Sequence, residues 1–161
     1  MSNIIRRASF SRCGQYRYAL WREWDPDLPQ VLFIGLNPAT ADAEKDDNTM
    51  RRCMHYARDW GYGSMVVGNL FAFRTTWPTE LKKAKDPVGK SNDSWLKKLS
   101  RQADMSVAMW GNHGSFMDRA SKVETIFDDL YCLKITRQGQ PHHTRGLANG
   151  IQPTPFHRGI T

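Results

Sequence analysis

Two asparagines and a pair of histidines carry most of the chemistry this chain could perform. Asn37 and Asn69 each follow directly on an apolar run, VLFIGL and SMVVG, and His142-His143 sit in GQPHHTRG, a Gly/Pro loop where packing does not require them. An amide both donates and accepts hydrogen bonds, so it can hold a water or read a ligand without carrying charge. An imidazole exchanges a proton near neutral pH. Asn69 is followed by Phe71, Phe73 and Arg74 in NLFAFRTT. An amide that reads a base edge, beside a ring that stacks on it, makes a nucleobase pocket; one of the two phenylalanines is expected in the core. Turn formation alone also accounts for Asn37-Pro38, because Asn tolerates turn geometry and Pro ends a strand.

DAEKDDNT adds Asp42, Asp46 and Asp47, loop carboxylates that could bind a divalent ion or act as a general base. Asp46 reads as part of a solvated loop. Asp42 lies closest to the preceding apolar run and is the one expected to act. WGNHG reads either as a strand-to-helix turn with Trp110 in the core or as a further contributor of polar groups. No Cys or carboxylate stands near the histidines at the spacing of a zinc site, and no nucleophile elbow, phosphate loop or dinucleotide fingerprint is present.

These residues need elements to position them. YRYALWREW alternates as a strand, and DPDLP turns the chain. VLFIGL has the continuous apolar character of a strand buried on both faces. NTMRRCMHYARDWGYG reads as a helix capped by Asn48 or Asp47, with Met50, Cys53, Met54, Ala57 and Trp60 at helical spacing. SMVVGNLFAF is the next strand, PTELKKA and NDSWLKKLSRQA are short helices, and MSVAMWGN is a further buried strand. SFMDRASKVETIFDDL reads as one helix, YCLKIT as a strand, and the last 25 or so residues as loop. Alternating strands and helices imply an open sheet covered on both faces, with ligands bound beyond the carboxyl ends of its strands.

At 161 residues, 40% hydrophobic and 24% charged, the chain suits one folded domain. It has no apolar run of the roughly 20 residues that span a bilayer and no signal-peptide h-region, so it reads as cytoplasmic. Cys13, Cys53 and Cys132 are far apart and odd in number, which fits buried or idle thiols. The net charge of +7 is concentrated at the ends. Arg6, Arg7, Arg12, Arg17 and Arg22 come before the first acid, and Lys134, Arg137, Arg145 and Arg158 follow the last, leaving 14 basic and 16 acidic residues between. If the ends meet, they form one basic surface suited to phosphates.

The order GLNPAT, NLFAFR, MWGNHG and a late HH resembles the uracil-DNA glycosylase superfamily. That superfamily has a first motif ending in Asn-Pro or Asp-Pro, a strand with a base-reading Asn, a Trp-Gly strand end and a late His motif. The fuller wording RYALWREWD, LNPATADAEKDDNTMRRC, WGYG, NLFAFRTT, DPVGKSND, WGNHG and GQPHH is similar to an uncharacterised bacterial and phage family, domain of unknown function 1643, over most of the chain. The glycosylase resemblance implies that Asn37 positions the attacking water, Asn69 reads the base and His143 stands beside the leaving base. Thr144 replaces the usual proline after that histidine. Asn37 stands where the fastest uracil enzymes have aspartate, which implies slower or different base chemistry. No cysteine set fits the iron–sulfur branch.

The expectation is therefore a single α/β domain over residues 1–161, a three-layer α/β/α sandwich with a mostly parallel central sheet like that of uracil-DNA glycosylase. The expected function is flipping and hydrolytic excision of a nucleobase from DNA by a monomer without metal or cofactor. Asn37, Asp42 and His143 would be catalytic. Gly35, Leu36, Pro38, Asn69, Phe71 and Arg74 would bind the base. Arg51, Arg52, His113, His142 and Arg145, together with the basic termini, would grip the DNA. Two alternatives remain open: a module that binds a base or DNA without cleaving it, as a damage sensor or an accessory of phage DNA modification, and a nucleotide-modifying enzyme using Asp42, Asp46 and Asp47 with magnesium.

Overall fold

Unbroken apolar runs give this chain strands buried on both faces, and Arg17–Glu23, read as alternating, is also buried over most of its length. The computed structural model describes residues 3–156. Its strands are β1 (Ile5–Phe10), β2 (Arg17–Glu23), β3 (Gln30–Gly35), β4 (Ser64–Asn69), β5 (Met105–Ala108), β6 (Tyr131–Cys132) and β7 (Thr154–Pro155). Among the described residues they form one seven-stranded sheet in the order β1-β2-β4-β3-β5-β6-β7. The helices are α1 (Asn48–Asp59), α2 (Pro78–Lys83), α3 (Asn92–Gln102) and α4 (Arg119–Glu124), with a 3-10 segment over Asn112–Asp118.

The expected mostly parallel sheet is instead mixed. β3 runs parallel to β4 and β5, and β5 parallel to β6, but β1–β2, β2–β4 and β6–β7 are antiparallel. The reason lies at the ends. The N-terminal stretch, read from its arginines as a basic tail, is strand β1, and the short connection to β2 enforces an antiparallel hairpin. β7 likewise comes from the tail expected to be loop.

Side chains of the central strands alternate between two covered faces. Leu32 and Ile34 pack with Leu96, Leu99 and Val123 of α3 and α4, whereas Val31 and Phe33 pack with Met50, Cys53 and Ala57 of α1. Burial on both sides is why these strands read as continuous apolar runs. Each such side chain, fully removed from water, contributes roughly 1.5–3 kcal/mol. α1 begins as its sequence indicates: Asp47 is the N-cap and accepts from the Met50 N–H at 2.9 Å.

The helix expected over residues 115–130 is broken. Met117 and Asp118 take left-handed backbone angles, φ 57° and 54°, so the chain passes through the 3-10 segment before α4 begins. The break lets Phe116 pack on Phe71, ring centroids 5.5 Å apart.

The basic ends are used differently from the sequence reading. Arg17 and Arg22 are buried, Arg6 pairs with Asp46 at 2.8 Å, and Arg7 lies over the Trp21 ring at 4.4 Å. β1 and β7 form opposite edges of the sheet, on the order of 30 Å apart at ordinary strand spacing, so these strands do not join into one basic face. Arg158 lies outside the described residues. Cys53 and Cys132 are buried and Cys13 is exposed, all three as free thiols. Among the described residues no helix is long and apolar enough to cross a membrane.

Candidate functional site

From β3 the chain reaches β4 on one side through α1, then passes back over β3 to reach β5 on the other. The winding reverses at β3, and in open α/β sheets a crevice forms at the carboxyl ends of the strands at such a point. A cavity of about 430 Å³ lies there, within the usual range for small-molecule sites. A hollow of about 570 Å³ lies at the opposite ends of β5 and β6, beside Asp104, Met105 and Tyr131, away from the switch point.

Asn37, Asn69 and His143 all line the switch-point cavity. Asn37 leaves β3 with its amide nitrogen committed: Nδ2 donates to the carbonyls of Pro38 at 3.1 Å, Phe73 at 3.3 Å and Thr75 at 2.7 Å. It splices the loop after β3 to the loop after β4, and its remaining capacity is Oδ1, an acceptor. Asn69 ends β4 opposite Gly35. It is 3% exposed, its Nδ2 is enclosed, and among the described residues no hydrogen bond satisfies that donor. A Cβ on Gly35 would lie 2.8 Å from Asn69 Oδ1, so this position must be glycine for the amide to sit where it does. Below, Asn92 Nδ2 donates to the Asn69 and Leu70 carbonyls at 3.0 Å and fixes the end of β4.

The late loop is fastened to the end of β5. Trp110 Nε1 donates to Gln140 Oε1 at 2.9 Å, and the Gly111 N–H to the Pro141 carbonyl at 2.8 Å. Gly114 wraps so closely over the indole that a Cβ there would overlap it. This fastening brings His143 and Arg145 to the cavity, joined by His113 from the turn after β5. The Arg145 N–H donates to His143 Nδ1 at 3.0 Å. A backbone N–H can only donate, so Nδ1 is the acceptor and the neutral ring carries its proton on Nε2. Burial pushes the His143 pKa below its ordinary 6.5, helped by the charges of Arg145 and His142. Near neutral pH the side chain is therefore an uncharged donor.

Two further residues named in the sequence for other roles stand in the wall. Arg17 reaches the wall from β2, 2% exposed, with Nη1 donating to the Ala41 carbonyl at 3.0 Å. Burial lowers its guanidinium to about 10, so it remains a cation at neutral pH. The signal was a charge inside the alternating run YRYALWREW. Asp47 also lines the cavity; one carboxylate oxygen caps α1, and among the described residues the other has no hydrogen bond. Its value as a helix cap was legible, but its place in the wall was not.

The other expected site residues divide between the cavity and its surroundings. Gly35 and Leu36 line the cavity, but Pro38 is buried beside it. Phe71 is a wholly buried core residue outside the lining, so Trp110 is the aromatic in the wall. Asp42 and Arg74 share a neighbouring open hollow beyond Ala39 and Thr75. Asp42 folds onto its own loop: N–H groups of Lys45 and Glu44 bond its carboxylate, at 2.7 and 2.9 Å, and hold its pKa below the ordinary value. Arg74 donates to the Gly14 carbonyl. Arg51 binds Asn48, and Arg52 ties α1 to the Leu147 carbonyl and Asn149. His142 is bonded through Nδ1 to the His143 carbonyl and is outside the lining.

The three aspartates do separate work. Asp46 is held by Arg6 and Arg22 at 2.8 Å; burial alone would raise its pKa, but those two arginines outweigh it and leave the carboxyl below its ordinary value. With Asp42 turned away and Asp47 capping α1, the trio does not converge. Among the described residues no group of three His, Cys, Asp or Glu side chains is placed to hold a metal ion.

Compared with known families, residues 17–144 match the one described as "Protein of unknown function (DUF1643)". No curated protein and no solved structure matches the chain.

Proposed function

The chain belongs to that family, DUF1643, and from the geometry of its cavity we propose that it binds a nucleobase and hydrolyses the N-glycosidic bond that holds it. The observation that carries this reading is Asn69. The protein buries its amide to 3% exposure, gives its Nδ2 no partner among the described residues, and sets it in one cavity with Asn37 and His143. Buried polar groups are normally satisfied. A side chain left free at a switch point is suited to a ligand that brings its own donors and acceptors, as a base edge does. The order of motifs, which resembles that of uracil-DNA glycosylases, supports the same reading.

In the proposed reaction the target base leaves its stack, at a cost of a few kcal/mol, and Asn69 reads its edge. Asn37 Oδ1 and the free oxygen of Asp47 are acceptors that can aim a water at the sugar carbon. The glycosidic bond breaks with the sugar cation-like. The bonding pair leaves with the base, the water oxygen bonds to the sugar carbon, and the water's proton passes to an acceptor. The Nε2–H of His143 stabilises charge developing on the departing base. A positioned donor of that kind lowers the barrier by roughly 3 kcal/mol.

Asn37 also favours a second reading. Its amide is explained by the loop splice alone, as a holder of bases without chemistry would require. Incubation with labelled oligonucleotides carrying uracil, hydroxymethyluracil, hypoxanthine or mismatches separates the two. Abasic sites on at least one substrate, lost in Asn37→Ala, are expected. Base binding without abasic sites would leave the holder; neither binding nor cleavage would remove both.

A further inference from the structure

Three arginines are buried among the described residues, and two of them are answered by carboxylates. Arg22 donates to Asp46 at 2.8 Å and to the carbonyls of Trp21, Asp42 and Lys45. Arg119 pairs with Asp93 and donates to the Leu70 carbonyl. Among the described residues the Arg17 side chain makes one hydrogen bond, to the Ala41 carbonyl, and no ion pair, and its Nε is enclosed without a partner. Asp47 attracts it without touching it. A cation taken out of water without a counter-charge is unfavourable. Where a buried arginine is structural, this fold supplies a carboxylate. Arg17 lacks one, and of the three only Arg17 lines the cavity.

We infer that the cavity takes its base as a nucleotide, with a phosphate group seated on Arg17. The heterocycle rests on the reading proposed above; the anion seat rests on Arg17. A guanidinium presents paired N–H groups that match two phosphate oxygens, and burial strengthens the attraction. Thr75 lies in the same wall, and its hydroxyl accepts from the Trp77 N–H, so its own proton is available to a phosphate oxygen. Arg145 adds a second cation at the exposed rim. The phosphate can come from a free nucleoside monophosphate or from a nucleotide within a strand.

Calorimetric titration of the whole chain tests this with four probes: nucleosides, their 5′-monophosphates, a short single-stranded oligonucleotide and inorganic phosphate. For at least one base, a phosphate-bearing form should bind about tenfold or more tighter than the nucleoside, and Arg17→Met should abolish the difference. Whichever phosphate-bearing form gains identifies the source. Equal affinity for nucleoside and phosphorylated forms overturns the seat without any need for the variant, as does a preference that survives Arg17→Met. Arg17-dependent binding of inorganic phosphate with no discrimination among bases would sink the base reading and keep the seat. No binding of any probe would sink both.

Discussion

Arg17 and Arg22 stand on the same strand, both buried, and differ in what answers their charge. Replacing an unpaired buried cation with an apolar side chain of similar length is often neutral or stabilising, whereas removing one partner of a buried pair strands the other. Arg17→Met should therefore unfold in urea within about 1 kcal/mol of the native chain, and Arg22→Met should lose about 3–5 kcal/mol, since Asp46 would keep only Arg6. An equal, large loss in both would make Arg17 a structural residue. His143 gives a second test. Its folded pKa lies below its ordinary 6.5, so between those two values the unfolded chain binds the proton and the native chain resists it. Stability attributable to His143 is fully present above 6.5 and is lost as pH falls below it. Thermal midpoints taken from pH 7 down to pH 5 should fall more steeply for the native chain than for His143→Gln. Parallel curves would mean that the ring is not held neutral.

At the scale of elements, the site depends on two close approaches that allow no side chain: Gly35 against Asn69 and Gly114 against Trp110. Gly114→Ala must displace the indole, and overpacking of this kind costs about 1–3 kcal/mol, measurable by urea unfolding. It should also weaken ligand binding, because Trp110 carries the bond that fastens the late loop to β5. Binding unchanged in a destabilised variant would separate that loop from the site. The central elements were legible because burial on both faces leaves continuous apolar runs in β3 and β4, and α1 announces itself by its cap and helical spacing. β1 was not legible: its arginines look like a solvated tail until Arg6 finds Asp46, 40 residues away. The break at Met117 and Asp118 was hidden for a related reason, since non-glycine residues rarely take left-handed angles and the sequence carries no mark of it.

For the whole molecule, net charge is a poor guide to which cations stand free on the surface. Of the five N-terminal arginines, Arg6 and Arg22 are paired with Asp46 and Arg17 is buried in the cavity wall, so few of them remain on the surface to meet the backbone of a strand. Binding to single-stranded DNA should accordingly show a log–log salt slope of only about −2 to −4, shallower by about 0.7–0.9 in Arg145→Ala. Arg101→Ala, at the opposite ends of the strands, should leave the slope unchanged. A flat salt response in the native chain would remove nucleic acid as a partner. The convergence of Asn37, Asn69 and His143 could be anticipated because sheets of this kind gather their strand ends at one place. Arg17 and Asp47 could not, because their roles depend on which distant segments crowd around them.

The proposed function stands on the Asn69 amide meeting a base. Nitrogen–proton correlation spectra read it directly, with the side-chain NH₂ pair of Asn69 identified by its loss in Asn69→Leu, while uracil, thymine, cytosine, adenine and hypoxanthine nucleotides are titrated in turn. At least one should shift that pair to saturation, and the same nucleotide should fail to bind Asn69→Leu. If the Asn69 pair stays fixed through all five titrations, the cavity does not read bases.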